Sequence, residues 1–339
     1  MTADLVVNRN TWSMMRLVFA IAGPSLCKGV LETETLKRLK QTTKKYDILI
    51  TEFFATDCAL GFSYLFGIPS VALTTSIALP WTSSFIGFPD NPSYIPNYFT
   101  PFRPSMTLSE RVINTGVYVI TKMGYDIFSM TESNIHAKEF FGSNLPDLEE
   151  LASNVSLLLV NSHFSVHMAR PTVPNFIEVA GLHIKQNYNL SKYFQMALET
   201  DLKGVVYLSF GSMLLTESFP EYKLQSLFQA FGKVPYKILW KATREKFAPS
   251  LDIPSNIQFE SWMPQLEILC HPNVKVFVSH GGMMGTLEAI HCGVPVLGIP
   301  MFADQKLNIR TSAARGFATY VSYENITEES ISEALNLLL

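Results

Sequence analysis

The second half of the chain repeats one pattern. Short runs rich in β-branched, aromatic and other apolar residues recur at Val205–Phe210, Tyr236–Trp240, Asn256–Glu260, Val274–Ser279, Val294–Ile299 and Ala318–Ser322. Stretches that suit helices, Glu221–Gly232, Met283–Cys292 and Thr327–Leu338, lie among them. Strands that are apolar on both faces and alternate with helices predict a parallel sheet covered on both sides, an open α/β fold. The first half is poorer in strands. Tyr46–Thr51 and Pro69–Thr74 flank a helix-like Ala59–Phe66, and Ser156–Val160 is a third strand. The Pro-rich passage 80–104 reads as loop and 109–141 as a long helix. Three strands make a thin sheet for roughly 180 residues.

A boundary is expected after Arg170–Pro174 and Val179–His183. It divides the chain into an N-terminal domain over 1–183, a polar linker or surface segment over 184–203, and a C-terminal domain over 204–339. The length of 339 residues accords with two domains, each able to bury a core. With 26 basic against 29 acidic residues and no long run of either sign, a nucleic-acid binder with a basic surface is excluded. The 24 Phe and 13 Tyr exclude general disorder. Cys27, Cys58, Cys270 and Cys292 are too few and too scattered for a disulfide scaffold, and no C-x-x-C points to zinc. No membrane span is expected, because the apolar stretch Leu17–Cys27 is interrupted by Gly23 and Pro24. Met1-Thr-Ala-Asp lacks the features of a signal peptide, and the last residues read as a helix stopping in mid-turn. Both ends are therefore expected to be cut.

The densest chemistry lies between Trp262 and Gln305. Val274–Ser279 runs into His280-Gly281-Gly282 and then a helix. Glycines at a strand-to-helix turn admit a ligand to the backbone, and the helix start offers free N–H groups to a phosphate, with His280 adding a hydrogen bond. Gly285 and Glu288 share a helix face, and an acid in a nucleotide cleft binds ribose hydroxyls. A second glycine turn, Ser209-Phe210-Gly211-Ser212, closes another strand. Trp262 and Gln265 together suit a planar base, and Asp304 beside Gln305 suits vicinal sugar hydroxyls. The plain alternatives are a tight turn at Gly281-Gly282, a core position for Trp262 and a solvated loop at Asp304-Gln305.

The run Trp262-Met-Pro-Gln265, His271-Pro272, His280-Gly-Gly282, Glu288-Ala289, Gly293-Val-Pro295, Pro300, Asp304-Gln305 and Asn308 closely resembles the nucleotide-sugar signature of UDP-glycosyltransferases. Val205–Met213 resembles the same family's first C-terminal strand, and Tyr46–Cys58 its animal members. The resemblance implies the GT-B architecture, two Rossmann-like parallel-sheet domains facing a cleft, the N-terminal one incomplete here. It implies that Trp262 stacks on uracil, Gln265 holds base or ribose, and Glu288 takes the ribose hydroxyls. His280, Gly281, Gly282, Gly285 and the turn of Ser209, Gly211 and Ser212 would surround the diphosphate. Asp304 and Gln305 would hold the sugar. Met284 stands where some members have a polar residue, leaving backbone N–H groups alone to meet phosphate there.

The implied reaction is inverting transfer of glucose or glucuronic acid from UDP-sugar to a small lipophilic hydroxylated acceptor. UDP-sugar is the co-substrate, with no cofactor and no metal. A histidine takes the acceptor's proton and a carboxylate orients it. No histidine precedes His136, so roughly a hundred residues are expected to be missing at the front. Asp57 and Glu52 are both candidates for the orienting acid, Asp57 ahead of Glu52, and either could instead serve as a helix-start acid. The resemblance also implies the lumenal face of the endoplasmic reticulum membrane, anchorage by a C-terminal helix absent here, and homo- or hetero-oligomers with family members. Asn154, Asn189 and Asn325 open glycosylation sequons. The alternative is a catalytically inactive, truncated member that binds UDP-sugar or dimerises.

Overall fold

Every strand expected in the second half forms. In the computed structural model, which describes residues 11–186, 189–199 and 201–339, the chain divides into two units, Asn10–Ala180 and Gly181–Leu339. The Met1-Thr-Ala-Asp opening lies outside the described residues.

The first unit carries a four-stranded sheet, β1 (Leu49–Glu52), β2 (Ser70–Thr74), β3 (Leu157–Val160) and β4 (Phe176–Glu178), in that order and all parallel. β4 adds a strand to the three expected. It is only three residues long and closely follows Pro174, so no periodicity announces it.

A second departure concerns the start. Residues 11–31 form one helical run through Gly23-Pro24, long and apolar enough over Trp12–Leu31 to cross a membrane by length and composition alone. The expected break at Gly23-Pro24 does not occur. A π-helical segment, Leu17–Ala22, widens the backbone just before Pro24 and so absorbs its missing N–H, with Pro24 in the first turn of Gly23–Leu31. Phe19, Gly23, Cys27 and Leu31 face inward, and a Cβ on Gly23 would lie 2.4 Å from the Ala55 carbonyl oxygen. This is core packing of one helix face. The long helix expected over 109–141 spans 108–141, capped at Thr107 by a reciprocal hydrogen-bond box with Glu110.

The second unit carries a six-stranded parallel sheet. Its members are β5 (Val205–Ser209), β6 (Lys237–Lys241), β7 (Ile257–Glu260), β8 (Val274–Ser279), β9 (Val296–Gly298) and β10 (Ala318–Tyr320). The order is β10-β9-β8-β5-β6-β7. The chain therefore builds outward from β5 to β7, returns to β8 beside β5, and builds outward again. The reversal lies between β5 and β8, where open α/β sheets leave a crevice at their carboxyl ends. β5 and β8 are buried along most of their length, which explains why they read as unbroken apolar runs. Tyr207 and Phe277 stack across them at 5.3 Å between ring centroids.

Residues 184–203, read as linker, carry a helix, Lys192–Leu198, with Ser191 capping its start. Ala197 and Leu198 are buried, and Leu198 joins the core of the second unit with Val205, Leu269 and Val274.

The cysteines differ most from expectation. They pair as Cys27–Cys58 and Cys270–Cys292. Spacing gave no hint, because each partner is brought close only by the tertiary fold. The second bridge joins the residue after the Gln265–Leu269 helix to the last residue of the Met283–Cys292 helix.

Candidate functional site

β5 and β8 end in the same way. Ser209 pairs with Ser279 in the ladder, and each hydroxyl accepts the backbone N–H of the glycine two residues on, Gly211 at 3.3 Å and Gly281 at 3.2 Å. Both glycines have positive φ, 72° and 84°, a region that L side chains adopt at a cost. A Cβ on Gly281 would also sit 2.3 Å from Ile309 Cγ1. Two glycine turns thus stand side by side at the switch point of the sheet. Gly282 then caps the Met283–Cys292 helix without a side-chain hydrogen bond, so the first-turn N–H groups keep their capacity for an anion.

His280 lies half-buried between these turns, with its Nδ1 enclosed. A Cβ on Gly211 would come within 3.1 Å of its ring and one on Gly282 within 2.8 Å, so both glycines make room for the imidazole. Burial, aided by the Lys241 charge, lowers its pKa to about 4. In the free protein the imidazole is therefore neutral at pH 7 and able to offer a hydrogen bond. The cation nearby is Lys241, the last residue of β6, which sequence reasoning passed over. Its Nζ donates to the Gly211 carbonyl at 2.8 Å and lies 4.6 Å from the Trp262 ring centroid.

Trp262 is 69% exposed, which rules out the core alternative and leaves a broad aromatic surface beside the turns. Gln265 opens the Gln265–Leu269 helix and donates through Nε2 to Glu288 Oε2 at 2.6 Å. Its Oε1 accepts from the Tyr207 hydroxyl at 3.4 Å. Gly285 explains how the amide reaches the acid, since a Cβ there would lie 3.1 Å from Gln265 Nε2. Met284 is exposed and brings no polar atom to the helix start beyond its backbone.

Asp304 and Gln305 are buried, so the solvated-loop alternative fails. Gln305 Oε1 accepts from the N–H groups of Met301 and Phe302, at 2.9 and 3.1 Å. Its carbonyl thus shapes the loop, and its amide N–H groups are what it can offer a ligand. Asn308 donates to Asp304 Oδ2 at 2.8 Å and to the Gly281 carbonyl at 3.0 Å, tying this loop to the glycine turn. Ala303, immediately before Asp304, has φ 55°, the only non-glycine at positive φ among the described residues. Such strain collects at ligand sites, and no sequence signal marks it.

In the first unit, Glu52 and Asp57 part company. Glu52 ends β1, is exposed, and accepts from the Thr75 hydroxyl at 2.6 Å. Asp57 is buried. Tyr125 donates to its Oδ2 at 2.5 Å, Oδ1 has no partner, and burial pushes its pKa up to about 7. Among the described residues, neither acid is hydrogen-bonded to a histidine. Among the described residues, no three His, Cys, Asp or Glu side chains gather as a metal-ligand set.

The pattern of the family described as "UDP-glucoronosyl and UDP-glucosyl transferase" matches residues 4–339. The chain is 40% identical over 306 residues to UDP-glycosyltransferase UGT5 of Dactylopius coccus, covering 90% of this chain and 57% of that protein. It is 30% identical over 342 residues to UDP-glucuronosyltransferase 1A6 of Homo sapiens, covering 100% and 61%. It therefore spans about 60% of the length of these curated relatives. Among solved structures, the kitacinnamycin glycotransferase superposes with a TM-score of 0.61 at 18% identity, over 100% of this chain and 76% of that one. At that identity the likeness speaks for the fold alone, which is GT-B.

Proposed function

Because the chain belongs to the UDP-glucoronosyl and UDP-glucosyl transferase family, we propose that it binds a UDP-sugar and serves inverting transfer of glucose or glucuronic acid to a small lipophilic hydroxylated acceptor. One observation carries the donor reading: paired Ser-x-Gly turns and an uncapped helix start meet at the sheet's switch point, flanked by exposed Trp262 and by Glu288. The helix N–H groups and Lys241 favour the diphosphate. The Trp262 face favours a base, Glu288 a diol, and Asp304 with the Gln305 amide a sugar.

Of the two acids, Glu52 suits the orienting role. It is solvent-exposed at a strand's carboxyl end, whereas Asp57 is sealed against Tyr125 and holds its proton to about pH 7. An orienter must be ionised to stabilise an imidazolium.

The lumen of the endoplasmic reticulum remains the reading for compartment. Two cystine bridges favour an oxidising environment, and Asn154, Asn189 and Asn325 are all exposed. Attachment to the membrane and association with family members rest on the resemblance.

The second reading, a donor-binding member without turnover, is favoured by Glu52 and Asp57 being bonded to Thr75 and Tyr125 and to no histidine. The test is incubation of the purified chain with UDP-glucose or UDP-glucuronic acid and a phenolic acceptor, read by mass spectrometry. Removal of a catalytic base lowers transfer about 10²–10⁴-fold, so on the second reading UDP should stabilise the chain against heat while glycoside stays undetected, and on the first both effects should appear. Robust glycoside formation that survives substitution of both Glu52 and Asp57 contradicts the assignment.

A further inference from the structure

We propose that His183 is a positioning residue for ribose recognition, holding the oxygen of Glu288 that Gln265 leaves free; the proposal rests on the donor-site reading above. Glu288 is anchored at one oxygen already. Gln265 Nε2 donates to Oε2, and the Tyr207 hydroxyl at Gln265 Oε1 fixes which way the amide points. Burial raises the Tyr207 pKa, so this hydroxyl keeps its proton and stays a donor. At the other oxygen stands His183, with Nε2 3.4 Å from Oε1. The two side chains are only 19% and 13% exposed, and His183 Nε2 is a buried polar atom that satisfies no hydrogen bond, so Oε1 at 3.4 Å is the acceptor within its reach.

The local backbone aims the ring there. Gly181 adopts φ 82°, and its carbonyl accepts the Ile184 N–H at 2.8 Å, closing a turn that leaves Leu182 exposed and His183 half-buried. This is the Val179–His183 run that marks the expected domain boundary.

The chemistry favours two anchors. An ionised carboxylate has about four acceptor sites. Gln265 takes one on Oε2, and a donor at His183 Nε2 takes one on Oε1. One site then remains on each oxygen, the number that a vicinal diol requires. A carboxylate held at one oxygen can still turn about its Cγ–Cδ bond and present the diol with a poorer geometry. His183 therefore acts through Glu288, on discrimination for the diol.

The test is calorimetry of the full chain with UDP and with 2′-deoxy-UDP, comparing His183→Gln with His183→Asn. A glutamine amide nitrogen reaches the place of Nε2, whereas an asparagine amide reaches only that of Nδ1. A charged hydrogen bond is worth about tenfold or more in affinity, so the wild type should prefer UDP by about that factor. His183→Gln should keep the preference and His183→Asn should lose most of it. Equal preference in the two variants, or equal weakening of both ligands by both variants, overturns the proposal and leaves the donor site standing. No UDP binding by the wild type, or none lost in Glu288→Ala, overturns the donor-site reading and the His183 proposal with it.

Discussion

Ser209 and Ser279 stand opposite one another in adjacent parallel strands, and each binds the N–H of a left-handed glycine two residues on. The pairing places two backbone turns at the point where the sheet reverses its order. A diphosphate needs such a place: main-chain N–H groups, no intervening side chains and a helix start. Five consequences can be measured.

Substitution of Gly281 should be far costlier than substitution of Gly293. Both have positive φ, 84° and 69°, but a Cβ on Gly281 meets Ile309 at 2.3 Å, whereas one on Gly293 meets nothing within 4 Å. Backbone strain alone costs about 1–2 kcal/mol, and overpacking adds about 1–3 kcal/mol. Urea unfolding should place Gly281→Ala about 2–5 kcal/mol below wild type and Gly293→Ala within about 1–2 kcal/mol.

Trp262→Ala should separate binding from stability. Its ring is largely exposed, so the melting temperature should hardly move. Loss of a stacking surface costs about 1–3 kcal/mol per base, and UDP affinity should fall accordingly in a calorimetric titration. Trp262→Phe should recover part of it.

Asp57 should give the fold a pH dependence opposite to that of a salt-bridged acid. Its folded pKa, about 7, lies above the ordinary carboxylate value. In the window from about 4 to about 7 the native state therefore holds a proton that the unfolded chain has released. Its contribution is full below that window and is lost as pH rises through 7, a difference of roughly 4 kcal/mol. Asp57→Asn should abolish the slope, so the variant gains on wild type from pH 4 to pH 7. Parallel stability curves for the two proteins would refute the assignment.

Removing the Cys270–Cys292 bridge should loosen the unit that holds Gln265 and Glu288. The bridge closes a loop of 22 residues between the two helices that carry them. Loops of that size correspond to roughly 3 kcal/mol. The Cys270→Ser/Cys292→Ser variant should unfold at lower urea than wild type and lose most of the response to reductant in the second unit.

Much of this was legible in the sequence, and the gaps have physical causes. The strands β5, β6, β8 and β9 announced themselves because a buried parallel strand is apolar on both faces. β4 did not, because three residues beyond a proline carry no period. Gly23-Pro24 read as a break, and a π-helical segment carries the helix through it. Trp262, Gln265, Glu288 and the glycine turns were visible as a spaced pattern. The neutral state of His280 was not, since it depends on burial and on Lys241 from another strand. The same holds for Glu52 against Asp57: both sit in one short run, and only the packing of Tyr125 separates an open acid from a sealed one. His183 lay in a recognised run, but its contact with Glu288 crosses 105 positions of sequence, and spacing does not report such a distance.

The central claim is that residues of the second unit form a nucleotide-sugar donor site with Glu288 on the ribose. Its most direct test is a titration of the full chain with UDP, wild type against Glu288→Ala, at fixed pH and salt. Saturable one-to-one binding, weakened by about 1.5–3 kcal/mol in the variant, is the predicted result. Equal affinity in the two proteins, or no binding by the wild type, would contradict it.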